Sequence, residues 1–196
     1  MNSVPEPQVA LNVDEIIITS QLYTRLPRPH NAEHVRANLL RLGECLGSNP
    51  KTLLDQLVST AVDLCLAGSA GFSLLKSTSD GDSQFVWEAM AGVYASFVGG
   101  TTPRNFSPCG VTLDRNAPQL FHYPCRFFHY FNEVSPPIVE GLVLPMHAAG
   151  RPLGTLWVVS HHEERKFDIH DIDIMSNLCY LCIAALCTRT RLRNVS

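Results

Sequence analysis

The chain has 196 residues, 45% hydrophobic and 17% charged, and a formal net charge of −3. That is length and apolar content for one core-bearing domain, and the negative balance excludes a general nucleic-acid binder, which needs a basic stripe. No apolar run reaches the ~20 residues of a membrane-spanning helix, and Met1 to Asp14, with two prolines and two acids, does not read as a secretory signal. The cytoplasm is the expected location.

In chain order, residues 1–31 are polar and Pro-interrupted apart from Ile16-Ile17-Ile18, and read as a mostly irregular N-terminal arm. Val35, Leu39, Leu42 and Leu46 recur at helical spacing and predict a helix over 32–46. Gly47-Ser48-Asn49-Pro50 stops it. Ser48 or Asn49 then caps a second helix over 51–66, with Pro50 in its first turn. Strands at 72–76 and 85–91 flank the turn Ser79-Asp80-Gly81-Asp82 and predict a hairpin.

Residues 92–136 are the irregular part, rich in turn signals and rings. They hold one short strand, 119–122, and a short helix over Val111 to Asn116. Strands at 138–147 and 153–160 follow, joined by Ala149-Gly150-Arg151-Pro152, where Gly suits positive φ and Pro interrupts a ladder. Asp168, with Asp171 three residues on, caps a long helix over 168–192. The arginines at its end, Arg189, Arg191 and Arg193, suit a helix C-terminus. Successive hairpins with flanking helices imply an α+β fold: an antiparallel sheet of about five or six strands, helices on one face.

Four segments, which follow one another along the chain in the order of a known family, resemble that family. They are Gly150-Arg151-Pro152-Leu153-Gly154-Thr155-Leu156-Trp157-Val158-Val159-Ser160 with Phe167-Asp168 after it; Gly99 to Gly110; Leu113 to Pro118; and Ala67 to Leu75. Together they resemble the GAF domain, over residues 50 to 190, in the subgroup that serves as input domain of bacterial sensor histidine kinases. The resemblance implies a GAF/PAS-like sensory domain over 32–193, with a loop-covered ligand pocket between the sheet and the 92–136 segment. It implies a small-molecule ligand near Phe72, Trp87, Arg104, Phe106, Cys109, Phe121, His122, Phe128, Gly141 and Val143. It further implies a homodimer through the flanking helices and a histidine kinase or other signalling partner, in a two-component system. No cofactor is assigned. A loop of about forty residues in a compact domain has the character of a binding lid.

Cys109, just before a short helix, is the best placed of the seven cysteines for reactivity, since a helix dipole stabilises a thiolate. In bilin-binding relatives a Cys in this region holds the chromophore, typically followed by His; here Gly110 follows, which argues against covalent attachment. The other reading of Cys109 is a packing residue. The rings from Phe121 to Phe131 either line a cavity or close the core, and His122 and His129 lack a partner at metal-site spacing. Cys179-Tyr180-Leu181-Cys182 lies inside an apolar helix and reads as packing, and His161-His162 as a solvated loop. Arg104 meets an anionic ligand or pairs with a nearby acid.

Two alternatives to a sensor stand. One is a thiol-dependent free methionine-(R)-sulfoxide reductase, itself a GAF domain, with Cys109 and Cys125 as its thiols. The other is a ligand-free dimerisation or adaptor module. The start at Met1 and the polar ending favour a complete chain.

Overall fold

The computed structural model describes residues 11–45 and 49–193. Six strands form one antiparallel sheet in the order β3-β2-β1-β6-β5-β4: β1 (Ser69–Ser77), β2 (Ser83–Gly92), β3 (Thr101–Pro103), β4 (Gln119–His122), β5 (Glu140–Ala148) and β6 (Arg151–Ser160). Five helices accompany it: α1 (Gln21–Thr24), α2 (Ala32–Glu44), α3 (Pro50–Cys65), α4 (Pro108–Arg115) and α5 (Ile169–Arg193). Of the two caps considered for α3, the Asn49 side chain accepts from the Lys51 N–H, with Pro50 in the first turn; Ser48 and Leu46 lie outside the described residues.

Local chemistry sets the element ends. The Asp168 carboxylate accepts from His170 N–H at 2.8 Å, and its own N–H donates to Asp171 at 2.9 Å, so the two acids close a reciprocal cap on α5. The side chains of Cys187, Arg189, Arg191 and Arg193 lie outside the described residues. The β5–β6 turn is tighter than the sequence reading: Ala149 and Gly150, both at positive φ, make the whole connection. Pro152 is tolerated inside β6 because it sits opposite His147 at a bulge, beyond the point where β1 stops pairing.

Alternation along the strands divides the core in two. Phe72, Leu142, Leu144, Leu156 and Val158 belong to a cluster with Leu57 and Val58 of α3 and Met175 and Leu178 of α5. Phe85, Met90, Phe121, Val143, Trp157 and Val159 belong to a second cluster with Cys109 and Leu113 of α4 and Phe128. The arm is packed: Ile16 and Leu22 are fully buried, Ile17 bridges Phe121, and Ile18 N–H donates to Leu120 O. Residues 1–10 of the arm lie outside the described residues.

Buried ions hold the arm in place. Arg25 meets both oxygens of the fully buried Glu140 at 2.7 and 2.9 Å and donates to Phe167 O. Arg28 and Arg165 converge on the fully buried Asp171 at 3.1 and 2.6 Å. Removing one partner of such a pair strands the other charge, which is why it fixes the arm.

Candidate functional site

The second face of the sheet carries a cavity. Its floor is strand side chains of that parity: Trp87 of β2, Gly141 and Val143 of β5, Trp157 and Val159 of β6. Phe97, Cys109, Phe121, Phe131, Val134 and Ile138 close it from the 93–138 segment. About 60 Å³ is open to the centre of a water-sized sphere, several times the ~10–15 Å³ that one water needs. Gly141 makes the room, because a Cβ there would meet only Val159 and Ile138 at ordinary contact distances of 3.6 and 3.9 Å.

Trp157 is positioned by the strand beneath it. Gly71 leaves the space its ring fills, since a Cβ would come within 2.2 Å of it, and the indole N–H donates to Ser73 Oγ at 2.8 Å. Tyr94 donates its hydroxyl to Pro136 O at 2.5 Å and its ring lies 4.6 Å from that of His161. His161 is buried, not in a solvated loop: its Nδ1 lies 2.9 Å from Pro137 O and its Nε2 3.0 Å from Ser69 Oγ. The Pro137 carbonyl can only accept, so Nδ1 carries the proton and Nε2 accepts from the Ser69 hydroxyl. Burial lowers the His161 pKa, more than the Pro137 carbonyl raises it.

Five of the residues read from sequence as ligand neighbours share the cavity wall: Trp87, Cys109, Phe121, Gly141 and Val143. The other five lie elsewhere. Phe72 points to the helix side, one step out of phase with Gly71 and Ser73, and is fully buried there. Arg104 takes the local alternative and pairs with Asp114 at 2.5 Å. Phe106 is 42% exposed and caps an aromatic cluster, 5.2 Å from Phe128, which is fully buried inside it. His122 is half-buried against the Tyr123 ring. The rings of 121–131 thus serve both purposes considered: Phe121 and Phe131 line space, Phe127 and Phe128 fill it.

Cys109 sits inside α4, not before it. Ser107 caps that helix by accepting from Gly110 N–H at 3.1 Å. The expected activation by the helix dipole is outweighed: burial pushes the thiol pKa up, against weaker lowering by Thr155, Ser73 and the helix backbone. Gly110 is obligatory as packed, because a Cβ would come 2.0 Å from Arg104 O, so a His after Cys109 has no room. Cys179 and Cys182 are buried in α5; burial raises both thiols, Cys182 to about 12. Among the described residues no cluster of metal-ligating side chains forms, and no helix is long and apolar enough to cross a membrane.

Sequence reading missed Tyr94, Thr102 and Trp157 in the wall. Trp157 was legible by parity, as the one aromatic alternating with the helix-facing Leu156 and Val158. Tyr94 and Thr102 carried no such signal, being set by a loop and a three-residue edge strand.

These features, a curled antiparallel sheet with helices behind and a lidded apolar cavity in front, have a family match. The chain belongs to the GAF domain family, whose model matches residues 47–186. Its fold is similar to the GAF domain of an Acinetobacter phosphoenolpyruvate-protein phosphotransferase, at TM-score 0.67 and 14% identity, covering 82% of this chain and 97% of that one. It is similar also to free methionine-R-sulfoxide reductase from Neisseria meningitidis in complex with its substrate, at 0.61 and 15%, covering 82% and 93%. A third is the phycocyanobilin-bound GAF domain of a cyanobacterial phytochrome, at 0.64 and 10%, covering 81% and 96%. At such identities the likeness is one of fold. No curated protein matches the sequence.

Proposed function

We propose that this chain is a cytoplasmic sensory module: a small molecule enters the cavity between the sheet and residues 92–136, and the flanking helices of a homodimer relay its presence to a signalling partner such as a histidine kinase. The observation that carries the reading is the cavity itself, room beneath a lid with an apolar, aromatic wall. The GAF fold, generally a small-molecule sensing and signalling fold, supports it. Leu40 of α2 and Tyr180 of α5 are large, exposed and line one shallow groove, which supports pairing through these helices. Ligand binding moves a partner only through different affinity for two arrangements of the helices.

The test is a thermal-shift screen of small molecules against the native chain and Gly141→Leu. The variant adds a side chain where the floor is empty, so any ligand that raises the native midpoint should leave the variant's unmoved. A ligand shift that persists in Gly141→Leu removes the cavity as the sensing site. Light scattering tests the relay, and a strictly monomeric protein removes it.

A second reading has one observation in its favour: the Cys109 thiol lines the cavity, and two of the similar structures are free methionine-R-sulfoxide reductases bound to substrate. Reduction needs an attacking thiolate and a resolving thiol, and water leaves with the sulfoxide oxygen. The raised Cys109 pKa weighs against this reading, and Cys125 is not in the cavity wall. Turnover of free methionine sulfoxide with a thiol donor, lost in Cys109→Ser, would establish it.

A further inference from the structure

We propose that the cavity takes an uncharged, single-ring molecule bearing one polar group, which exchanges a hydrogen bond with Thr102. This rests on the cavity being the ligand site and names the class of ligand.

The wall decides the charge. None of the cavity-lining residues is Asp, Glu, Lys, Arg or His. An ion entering such a wall loses its hydration and gains no counter-charge. Arg104, the nearest cation considered from sequence, is paired with Asp114 and outside the wall. The wall is also aromatic on several sides, with Trp87, Tyr94, Phe97, Phe121, Phe131 and Trp157, which suits the faces and edges of a small ring. The open volume, about 60 Å³ for the centre of a water-sized sphere, limits the occupant to a small molecule.

The polar complement is narrower still. Two of the wall's hydrogen-bonding groups are already engaged: the Tyr94 hydroxyl with Pro136 O, and the Trp157 N–H with Ser73 Oγ. Thr102 differs. It is 95% buried by its 5% exposure, it lines the cavity, and its Oγ1 is a buried hydroxyl without a hydrogen-bond partner. A buried hydroxyl left without a partner is costly, and a hydroxyl can both donate and accept. It lies on the edge strand β3, paired with Phe85. A neutral hydroxyl, carbonyl or ring N–H on the guest satisfies it once rotation about χ1 turns Oγ1, closed to water as packed, toward the cavity.

Calorimetric titration of the full chain with phenol, toluene and benzoate tests this, alongside Thr102→Val and Gly141→Leu. Phenol and toluene should bind and benzoate should not. Thr102→Val, which keeps the side-chain shape, should weaken phenol about fivefold, the size of one neutral hydrogen bond, and leave toluene unchanged. Gly141→Leu should abolish both. Phenol binding that ignores Thr102→Val overturns the polar assignment. Benzoate binding as tight as phenol and blocked by Gly141→Leu overturns the neutral class while leaving the cavity as a ligand site. Failure of all three probes to bind the native chain overturns the class of ligand, while the sensory reading is decided by the thermal-shift screen with Gly141→Leu. Circular dichroism of Thr102→Val confirms that its fold is retained.

Discussion

On the helix-covered face of the sheet, Phe72, Leu142, Leu156 and Val158 are fully buried against α3 and α5, and this cluster reaches from Leu42 of α2 to Leu186 of α5. On the opposite face Trp157, Val143 and Val159 are nearly as buried, yet their cover is short 3-10 turns, an eight-residue helix and a three-residue strand. That cover leaves a cavity, and Thr102 within it keeps a polar atom without a partner. Regular helices can interdigitate with a sheet along their whole length, whereas irregular backbone must first satisfy its own N–H and C=O groups and fits less tightly. One sheet thus provides a stable wall on one side and a receptive one on the other.

Truncation of equal rings should separate the two faces. Phe72→Ala removes a fully buried ring from the packed side and should cost about 3–5 kcal/mol in urea unfolding. Phe131→Ala, from a half-buried ring that already borders open space, should cost roughly 1–2 kcal/mol, because fewer contacts are lost. Equal costs would mean that the lid is packed as tightly as the helices. Between these falls Glu140→Ala, which strands Arg25 and breaks the tie between the arm and the sheet. Loss of one partner of a buried pair predicts about 3 kcal/mol, toward the low end because Arg25 is partly exposed. Limited proteolysis should then cut near residues 19–30 before the domain, and a variant as resistant as the native chain would show that the ion pair does not hold the arm.

The packed face was also the legible one. Periodic Leu and Val placed α3, β5, β6 and α5 to within a few residues, and Asn49 and Asp168 announced their helices, because those signals are local. The receptive face was read at half strength. Trp87, Phe121, Gly141 and Val143 were placed in the wall, but Phe72 was put on the wrong side. A single residue of phase reverses a strand's faces, and the bulge between Phe72 and Ser73 sits where the phase had to be judged. His161 was misjudged for another reason, and for the same reason the two alternatives left open for Arg104 could not be separated until its pairing with Asp114 was seen. Their partners, Asp114 across a helix and Ser69 and Pro137 from other elements, are tertiary facts that no spacing encodes. At Cys109 the packing alternative fits better than the reactive one, since the thiol lies inside α4 and burial acts on it more strongly than the helix dipole.

The smallest expected effect joins the two faces at His161. Its ring connects Ser69, at the start of the central strand β1, to Pro137, where the lid rejoins the sheet, and it packs on Tyr94 of the cavity wall. The neutral ring suits this place, and burial holds its pKa below the ordinary histidine value. In the unfolded chain the group titrates near ~6.5, so stability from the neutral ring is complete above that pH. As pH falls below it, the unfolded chain binds a proton that the folded chain resists, and stability declines until the depressed folded pKa is passed. His162, which also lowers the His161 pKa, extends the decline to lower pH. His161→Asn keeps a donor toward Pro137 and removes the titration. Urea midpoints at pH 7.5 and 5.5 should therefore converge in the variant and differ in the native chain. A native chain equally stable at both, or a variant with the native pH response, would place the acid sensitivity elsewhere.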